Sequence, residues 1–165
     1  MKSIPLEPLS TEAFAAFGDV IDSLAPCEHI TINEGRTERH HALATIDCVP
    51  SDAATGISLF RATPIDETFV LRTLERHPLG SQTFINTSGR PYAVVVAPPG
   101  DLDETQVRAF LARPEQSVNY HRGTWHHYLL ALEAPSDFVV VDRLGADDNC
   151  DEQILATPLR LILTP

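Results

Sequence analysis

The feature that most constrains this chain is its punctuation: thirteen prolines, scattered from Pro5 to Pro165, cut it into short β-branched or aromatic runs. A proline inside a helix removes a backbone donor and clashes with the preceding turn, whereas between short strands it sits well in the connections. Strand candidates fall at about 19–23, 29–33, 42–49, 57–62, 68–77, 82–86, 91–97, 117–121, 125–132, 137–143 and 158–163, each β-branched, aromatic or alternating. Helical signals occur twice. Over 11–17, Ser10 is placed to accept from the first-turn amides, Glu12 lies at the positive end and Gly18 can terminate the helix. Over 104–112, Asp103 is the N-cap, Gln106 follows three positions on, and Val107, Phe110 and Leu111 make a stripe suited to packing on a sheet. So many strands with so little helix exclude βαβ units and predict an all-β architecture, a jelly-roll or closed antiparallel barrel with a few short helices.

A length of 165 residues fits one domain over 1–165, with no repeat and no linker visible, and 43% hydrophobic residues suffice for a core. The formal net charge of −11 repels nucleic acid and anionic membrane surfaces, so neither is expected as a partner. MKSIPLEPLSTEAF lacks the apolar stretch of a signal peptide, and the longest apolar runs, such as AVVVAPP, are too short to span a bilayer. Cys27, Cys48 and Cys150 are odd in number without a CxxC spacing. That pattern suits a reducing compartment, and the expectation is a cytoplasmic protein.

Four of the seven histidines fall in two windows, LERHPLGSQTFINTSG and NYHRGTWHHYLL. If residues 74–77 are extended, Glu75 and His77 project to one face. The spacing Glu75-x-His77-x4-Gln82-x6-Gly89 resembles the first cupin motif, with Glu for the first His and Gln for the Glu. Gly123-x2-His126 matches the second cupin motif at its Gly and His, while His121 replaces the Pro and Leu130 the Asn. In a cupin the four side chains at these positions converge inside the barrel on a divalent metal such as nickel or zinc, and Glu75, His77, Gln82 and His126 are a suitable N/O set. The neutral amide of Gln82 is a poor ligand, so the pocket equally suits a metal-free arrangement that hydrogen-bonds an organic substrate.

The likeness goes beyond cupins in general. ERHPLG with Gln82-x-Phe84, NYHRGTWHH and VDRLGADDNCDE, together with PLSTEAFAAFGDVID, NEGRTERHHALA and SLFRATP, resemble the ureidoglycolate lyase family over nearly the whole chain. That resemblance implies a cupin-like fold, a homodimer, and cleavage of ureidoglycolate into glyoxylate and urea during allantoin breakdown. The substrate is a carbinolamide: its C–N bond breaks as the hydroxyl loses a proton and the urea nitrogen gains one. A base and an acid are needed, and His77 and His126 are suited to either role. Glu75 is open to three readings, as base, metal ligand or orienter of a histidine. A bound metal offers another route, lowering the hydroxyl pKa as a Lewis acid. His127 should alternate away from His126, as a surface or interface residue.

Lys2 is the one lysine, so the cation for a substrate carboxylate is expected to be an arginine. Arg61, among apolar neighbours in ISLFRA, should meet an anion, either the substrate or an internal carboxylate. Arg39 is the second candidate, with a solvated loop charge as its other reading. Asn119 offers amide recognition of urea, and Trp125 an apolar wall or plain core. The acidic cluster Asp147, Asp148, Asp151 and Glu152 lacks EF-hand spacing and reads as a solvated loop, though the family resemblance leaves a site or dimer role open. Cys150 has no basic flank to make it nucleophilic. Neither a phosphate loop nor a dinucleotide fingerprint is present, so no nucleotide cofactor is expected. Two other readings compete with the lyase: a metal-dependent cupin enzyme on another small hydroxy acid, and a non-catalytic cupin that binds a small carboxylate.

Overall fold

The computed structural model describes residues 1–163. Strands β1 (Lys2–Pro5) and β2 (Glu7–Pro8) lead into helix α1 (Thr11–Phe14), where the Ser10 hydroxyl accepts from Ala13 N at 3.2 Å. There follow β3 (Gly18–Ile21), β4 (Glu28–Ile32), β5 (Thr37–His41), β6 (Thr55–Ala62), β7 (Leu71–Arg76), β8 (Gln82–Asn86) and β9 (Tyr92–Ala97). The chain ends through β10 (Arg108–Ala112), β11 (Ser117–Tyr120), β12 (Trp125–His126), β13 (Leu130–Ala131), β14 (Ser136–Arg143) and β15 (Asp151–Ile162). The expected all-β class is what the chain adopts.

The larger sheet runs β1-β15-β7-β12-β9-β10-β2, with β13 also on β9, and the smaller runs β3-β11-β8-β14-β6. The larger sheet curls until β1 meets β10, which encloses one core of Leu71, Leu74, Val95, Trp125, Leu130 and Leu159 among others. A second core of Phe14, Phe84, Val94, Tyr120, Phe138 and Val140 lies between the two sheets. Strand β9 belongs to both, because successive side chains on a strand point to opposite faces. That is why YAVVVA is apolar without alternation: all six of its residues are buried.

Several expectations are corrected. Residues 104–112 are not a helix: only Glu104–Gln106 makes a 3-10 turn, capped as expected by Asp103, and Arg108–Ala112 is strand β10. Val107, Phe110 and Leu111 imitate a helical stripe, but backbone pairing of Phe110 with Val94 and burial of Ala109, Phe110 and Ala112 outweigh that local signal. Residues 42–49 are a connection, not a strand. Ala42 takes φ 53°, and the following backbone is satisfied instead by the 79–81 segment, with Ser81 N donating to Asp47 O and Val49 N to Leu79 O. The run 125–132 is split into β12 and β13, and the last strand starts at Asp151 rather than near 158.

Candidate active site

Three neighbouring strands set a row of side chains across the larger sheet. Glu152 of β15 pairs with Glu75 of β7, and Glu75 pairs with His126 of β12. These three face the smaller sheet, while the adjacent residues Asp151, Arg76 and Trp125 go to the opposite face. There Arg76 donates to Asp151 Oδ2 at 2.7 Å and lies 4.6 Å over the Trp125 ring, whose Nε1 donates to Gly100 O at 2.9 Å. Trp125 is therefore core on the far side of the sheet, beside a cleft of about 520 Å³.

His77 follows β7 and reaches the same place as Glu75. Its Nδ1–H donates to Asn149 O at 2.6 Å, while the Asn149 side chain accepts from Leu79 N at 2.7 Å. Gly123 closes the turn into β12: at φ 79° it sits where a side chain is strained, and its N–H donates to His77 O at 3.0 Å. Gly89, the last position of the first motif, is likewise left-handed at φ 59°. Both motif glycines thus have a backbone reason to be glycine.

The His77 and His126 rings lie 5.1 Å apart, and the ring of Tyr120 stacks flat on His126 at 4.4 Å and 12°. His126 Nδ1–H donates to His127 O at 3.3 Å and lies 3.8 Å from Glu75 Oε1. With Nδ1 of each histidine committed as a donor, the lone pair of each neutral imidazole is on Nε2. His77 Nε2 and His126 Nε2 are both buried without a protein partner, and so is Gln82 Oε1. Gln82 Nε2 donates to Asp142 Oδ2 at 3.1 Å. One donor atom each from Glu75, His77 and His126 falls within 4.8 Å of the others, a group that could hold a metal ion. Unpartnered buried acceptors of this kind fit a cation.

Electrostatics separates the members. Burial, helped by His77 nearby, pushes His126 down to about 3, so it is a neutral imidazole at ordinary pH. Burial pushes the Glu75 carboxyl up, against the pull of His77 and with the push of Glu152. The Cys150 thiol, 4.0 Å from Glu75 Oε2, is raised by burial and then by Glu75, Glu152, Asp148 and Asp151. A thiolate nucleophile is disfavoured there, as the missing basic flank suggested. The cavity beside this row, about 190 Å³, is lined by Thr73, Leu74, Glu75, His126, Tyr128 and Glu152, with no Lys or Arg among the described residues.

The other sequence candidates lie elsewhere. Arg61, on edge strand β6, makes a two-pronged pair with Asp137 at 2.7 and 2.8 Å, the internal carboxylate that was the second reading for it. Arg39 is exposed on β5, opposite Ile30 of β4. Asn119 is fully buried, accepting from Thr83 Oγ1 and donating to Asp19 Oδ2 and Thr45 O, so its amide is spent inside the fold. His127 alternates away from His126 but is not a surface residue: it is 4% exposed, packed edge-on to Phe69, and burial lowers its pKa to about 4. The acidic segment is only half a loop, since Asp151 and Glu152 belong to β15. Tyr120 and Asn149 are not among the sequence candidates, and Glu152 is among them only within the acidic cluster whose site role the family resemblance leaves open. Alternation of Val118 with Tyr120 on β11 is the local signal that could place Tyr120 inward, whereas Glu152 arrives through the β15–β7 register and Asn149 through the segment before it, neither written locally.

A two-sheet β-barrel whose interior carries a carboxylate and two histidines at these motif positions is of the cupin class. The chain belongs to the ureidoglycolate lyase family, whose sequence profile matches residues 1–162. It is 49% identical to the ureidoglycolate lyase of Pseudomonas fluorescens strain Pf-5, over 100% of this chain and 99% of that protein. It is 48% identical to those of Pseudomonas putida strain W619 and Pseudomonas aeruginosa strain LESB58, over 100% of this chain and 99% and 98% of theirs.

Proposed function

We propose that this protein is a urea-releasing carbon–nitrogen lyase that splits ureidoglycolate into glyoxylate and urea, in the allantoin branch of purine degradation. The observation that carries the reading is the convergence of Glu75, His77 and His126, with two unpartnered Nε2 atoms, in a chain matched to this family along its length. His77 Nε2 accepts the hydroxyl proton, and the bond from Nδ1 to Asn149 O steadies the resulting imidazolium. Glu75, raised by burial, delivers a proton to the urea nitrogen as the C–N bond breaks. The proton lost at oxygen balances the one gained at nitrogen, so the enzyme returns to its starting state by one internal transfer. His126, neutral and clamped by Tyr120, orients Glu75 across the strand pair.

In a metal-bound form, where these lone pairs are spent on the ion and not on proton transfer, Glu75, His77 and His126 would hold a divalent ion such as nickel or zinc, with the unpartnered Gln82 Oε1 a further candidate, and the ion would supply Lewis-acid polarisation of the hydroxyl and a positive charge for the carboxylate. The lining supports that need, because an anionic substrate entering there meets no Lys or Arg among the described lining residues and has Glu152 beside it. Arg39 and Arg61 stand outside this pocket in the single chain. The test is glyoxylate release from ureidoglycolate by protein with and without chelator, alongside metal analysis of wild type and His77→Ala. Release that vanishes in His77→Ala with loss of bound metal marks His77 as a ligand; loss of activity with metal retained marks it as the base. No glyoxylate from wild type in any metal state overturns the reading.

A homodimer is part of the proposal. Edge strand β6 exposes Ile57 at 79% and Leu59 at 65%, and an apolar edge of this kind gains by being covered. Sedimentation at micromolar concentration should show twice 18.1 kDa. Cytoplasmic residence is proposed from the three free cysteines. No helix among the described residues is long and apolar enough to cross a membrane.

A further inference from the structure

Strands β4 and β5 pair only with each other, and most of their residues are exposed. A two-stranded hairpin of that kind is marginal in water without another contribution. In its register His29 lies opposite His40, and Thr31 opposite Glu38. Side chains two apart share a face, so Cys27 and His29 on one side and Glu38 and His40 on the other all look the same way. The two imidazole rings are 4.5 Å apart, Cys27 Sγ is 3.9 Å from His40 Nδ1, and one donor atom from each of Cys27, His29 and His40 falls within 4.8 Å of the others. Glu38 Oε1 accepts from His29 Nδ1 and lies 3.5 Å from His40 Nε2.

We propose that this hairpin carries a metal centre of its own, in which a zinc-class divalent ion is held by Cys27, His29 and His40 while Glu38 braces the two imidazoles. The division of labour follows from the ring atoms. Glu38 accepts from His29 Nδ1 and lies beside His40 Nε2, which leaves His40 Nδ1 next to the thiol and His29 Nε2 for the ion. A carboxylate on the second nitrogen is the usual support for a ligating histidine, fixing its tautomer and raising its basicity. Zn–S of about 2.3 Å and Zn–N of about 2.0–2.1 Å imply a tetrahedral S···N edge of roughly 3.5 Å. The 3.9 Å between Cys27 Sγ and His40 Nδ1 is a few tenths from that, within the reach of two partly exposed side chains. Thiolate with imidazole selects zinc-class ions over magnesium or calcium, and three protein ligands leave a fourth position for water. The ion sits at the end of the hairpin away from its Asn33–Arg36 turn, where it would tie the two strands together.

The test uses the 165-residue chain, stripped with chelator and kept reduced, and titrated with cobalt(II). Cobalt should raise one sulfur-to-cobalt charge-transfer band in the near ultraviolet, and zinc should abolish it by displacement. The band should disappear in Cys27→Ser and persist in Cys150→Ser, the cysteine beside Glu75. Affinity should fall at least about tenfold in His40→Ala and about 10–100-fold in Glu38→Gln, the size expected for an outer partner of a ligand. As a readout independent of colour, zinc should slow hydrogen exchange of the amides of residues 28–41 in wild type and not in Cys27→Ser. No band up to millimolar cobalt, a band that survives Cys27→Ser, or one lost in Cys150→Ser overturns the proposal. All the substituted hairpin positions are partly or fully exposed, so unchanged far-ultraviolet circular dichroism is expected throughout.

Discussion

The pocket between the sheets and the hairpin at the surface are built by the same device, a histidine set against an acid or a second histidine on a paired strand. In the pocket, His126 is 1% exposed, stacked on Tyr120 and shifted down to about 3. On the hairpin, the side chains of His29 and Glu38 are about half exposed, and a carboxylate rather than an aromatic ring sits against the imidazoles. Burial therefore turns one group toward proton transfer, with a raised carboxyl on Glu75 set beside a histidine held neutral. Exposure leaves the other accessible to an ion from solution, with a thiol available as ligand.

The sharpest way to break this contrast is at the pocket. Glu75→Gln and His77→Ala should each lower turnover by about 10²–10⁴-fold, the usual contribution of a positioned acid or base, with KM changing much less. Steady-state glyoxylate release measures it. Near-wild-type turnover in both variants would leave the buried group with no more claim to catalysis than the exposed one.

A smaller effect sharpens the role of burial. In metal-free protein, His126 and His127 have folded pKa values of about 3 and about 4, against 6.5 when unfolded. Below pH 6.5 the unfolded chain takes up protons that the folded chain refuses, so stability falls as pH falls toward those folded values. The loss is on the order of 1 kcal/mol per pH unit for each histidine. Glu75 runs the other way: its raised pKa gives a contribution present at low pH and lost as pH rises through the folded value. Urea midpoints at pH 7, 6 and 5 should therefore decline, and His126→Asn should flatten the decline. An identical slope in the variant would show that His126 is not held neutral by its surroundings. Smaller again, Gly123→Ala should destabilise by about 1 kcal/mol, because it forces a side chain onto φ 79° in the turn that bonds His77. Retention of wild-type stability and turnover would mean that the turn does not position the histidine.

The two regions also differ in how far they can be read without coordinates. The all-β class follows from proline spacing and short β-branched runs, and Glu75, His77 and His126 stand out because motif spacing is local. Glu152 shows only as one acid of a cluster and Asn149 not at all, since Glu152 is set opposite Glu75 by the pairing of β15 with β7, and Asn149 meets His77 just ahead of that strand, a register fixed by distant residues. Residues 104–112 show the same dependence on a distant partner: Val107, Phe110 and Leu111 keep helical spacing, and strand β9, which overrides it, lies outside the segment. On the hairpin, the HH pair and Cys27 are plain in the sequence, but their convergence depends on β5 occupying 37–41, ahead of the strand expected over 42–49.

The smallest expected effect concerns Arg61, which chemistry alone made the leading carboxylate anchor. Its guanidinium is 71% exposed, yet both oxygens of Asp137 already receive its N–H groups, and its pKa is raised by that hydrogen bond first and by charge second. Asp137 is lowered by the same hydrogen bond. To bind substrate, the fork would have to leave a two-pronged carboxylate in favour of a second one, exchanging equivalent bonds with no net gain. An exposed pair of this kind also contributes little to folding, because water screens the charges and two side chains lose freedom in making it. Arg61→Ala should accordingly leave kcat, KM and the urea midpoint unchanged within error, in contrast to Glu75→Gln. A substantial rise in KM would return the carboxylate to Arg61, and with the side chain pointing outward on edge strand β6 it would also require the productive site to be completed across that edge.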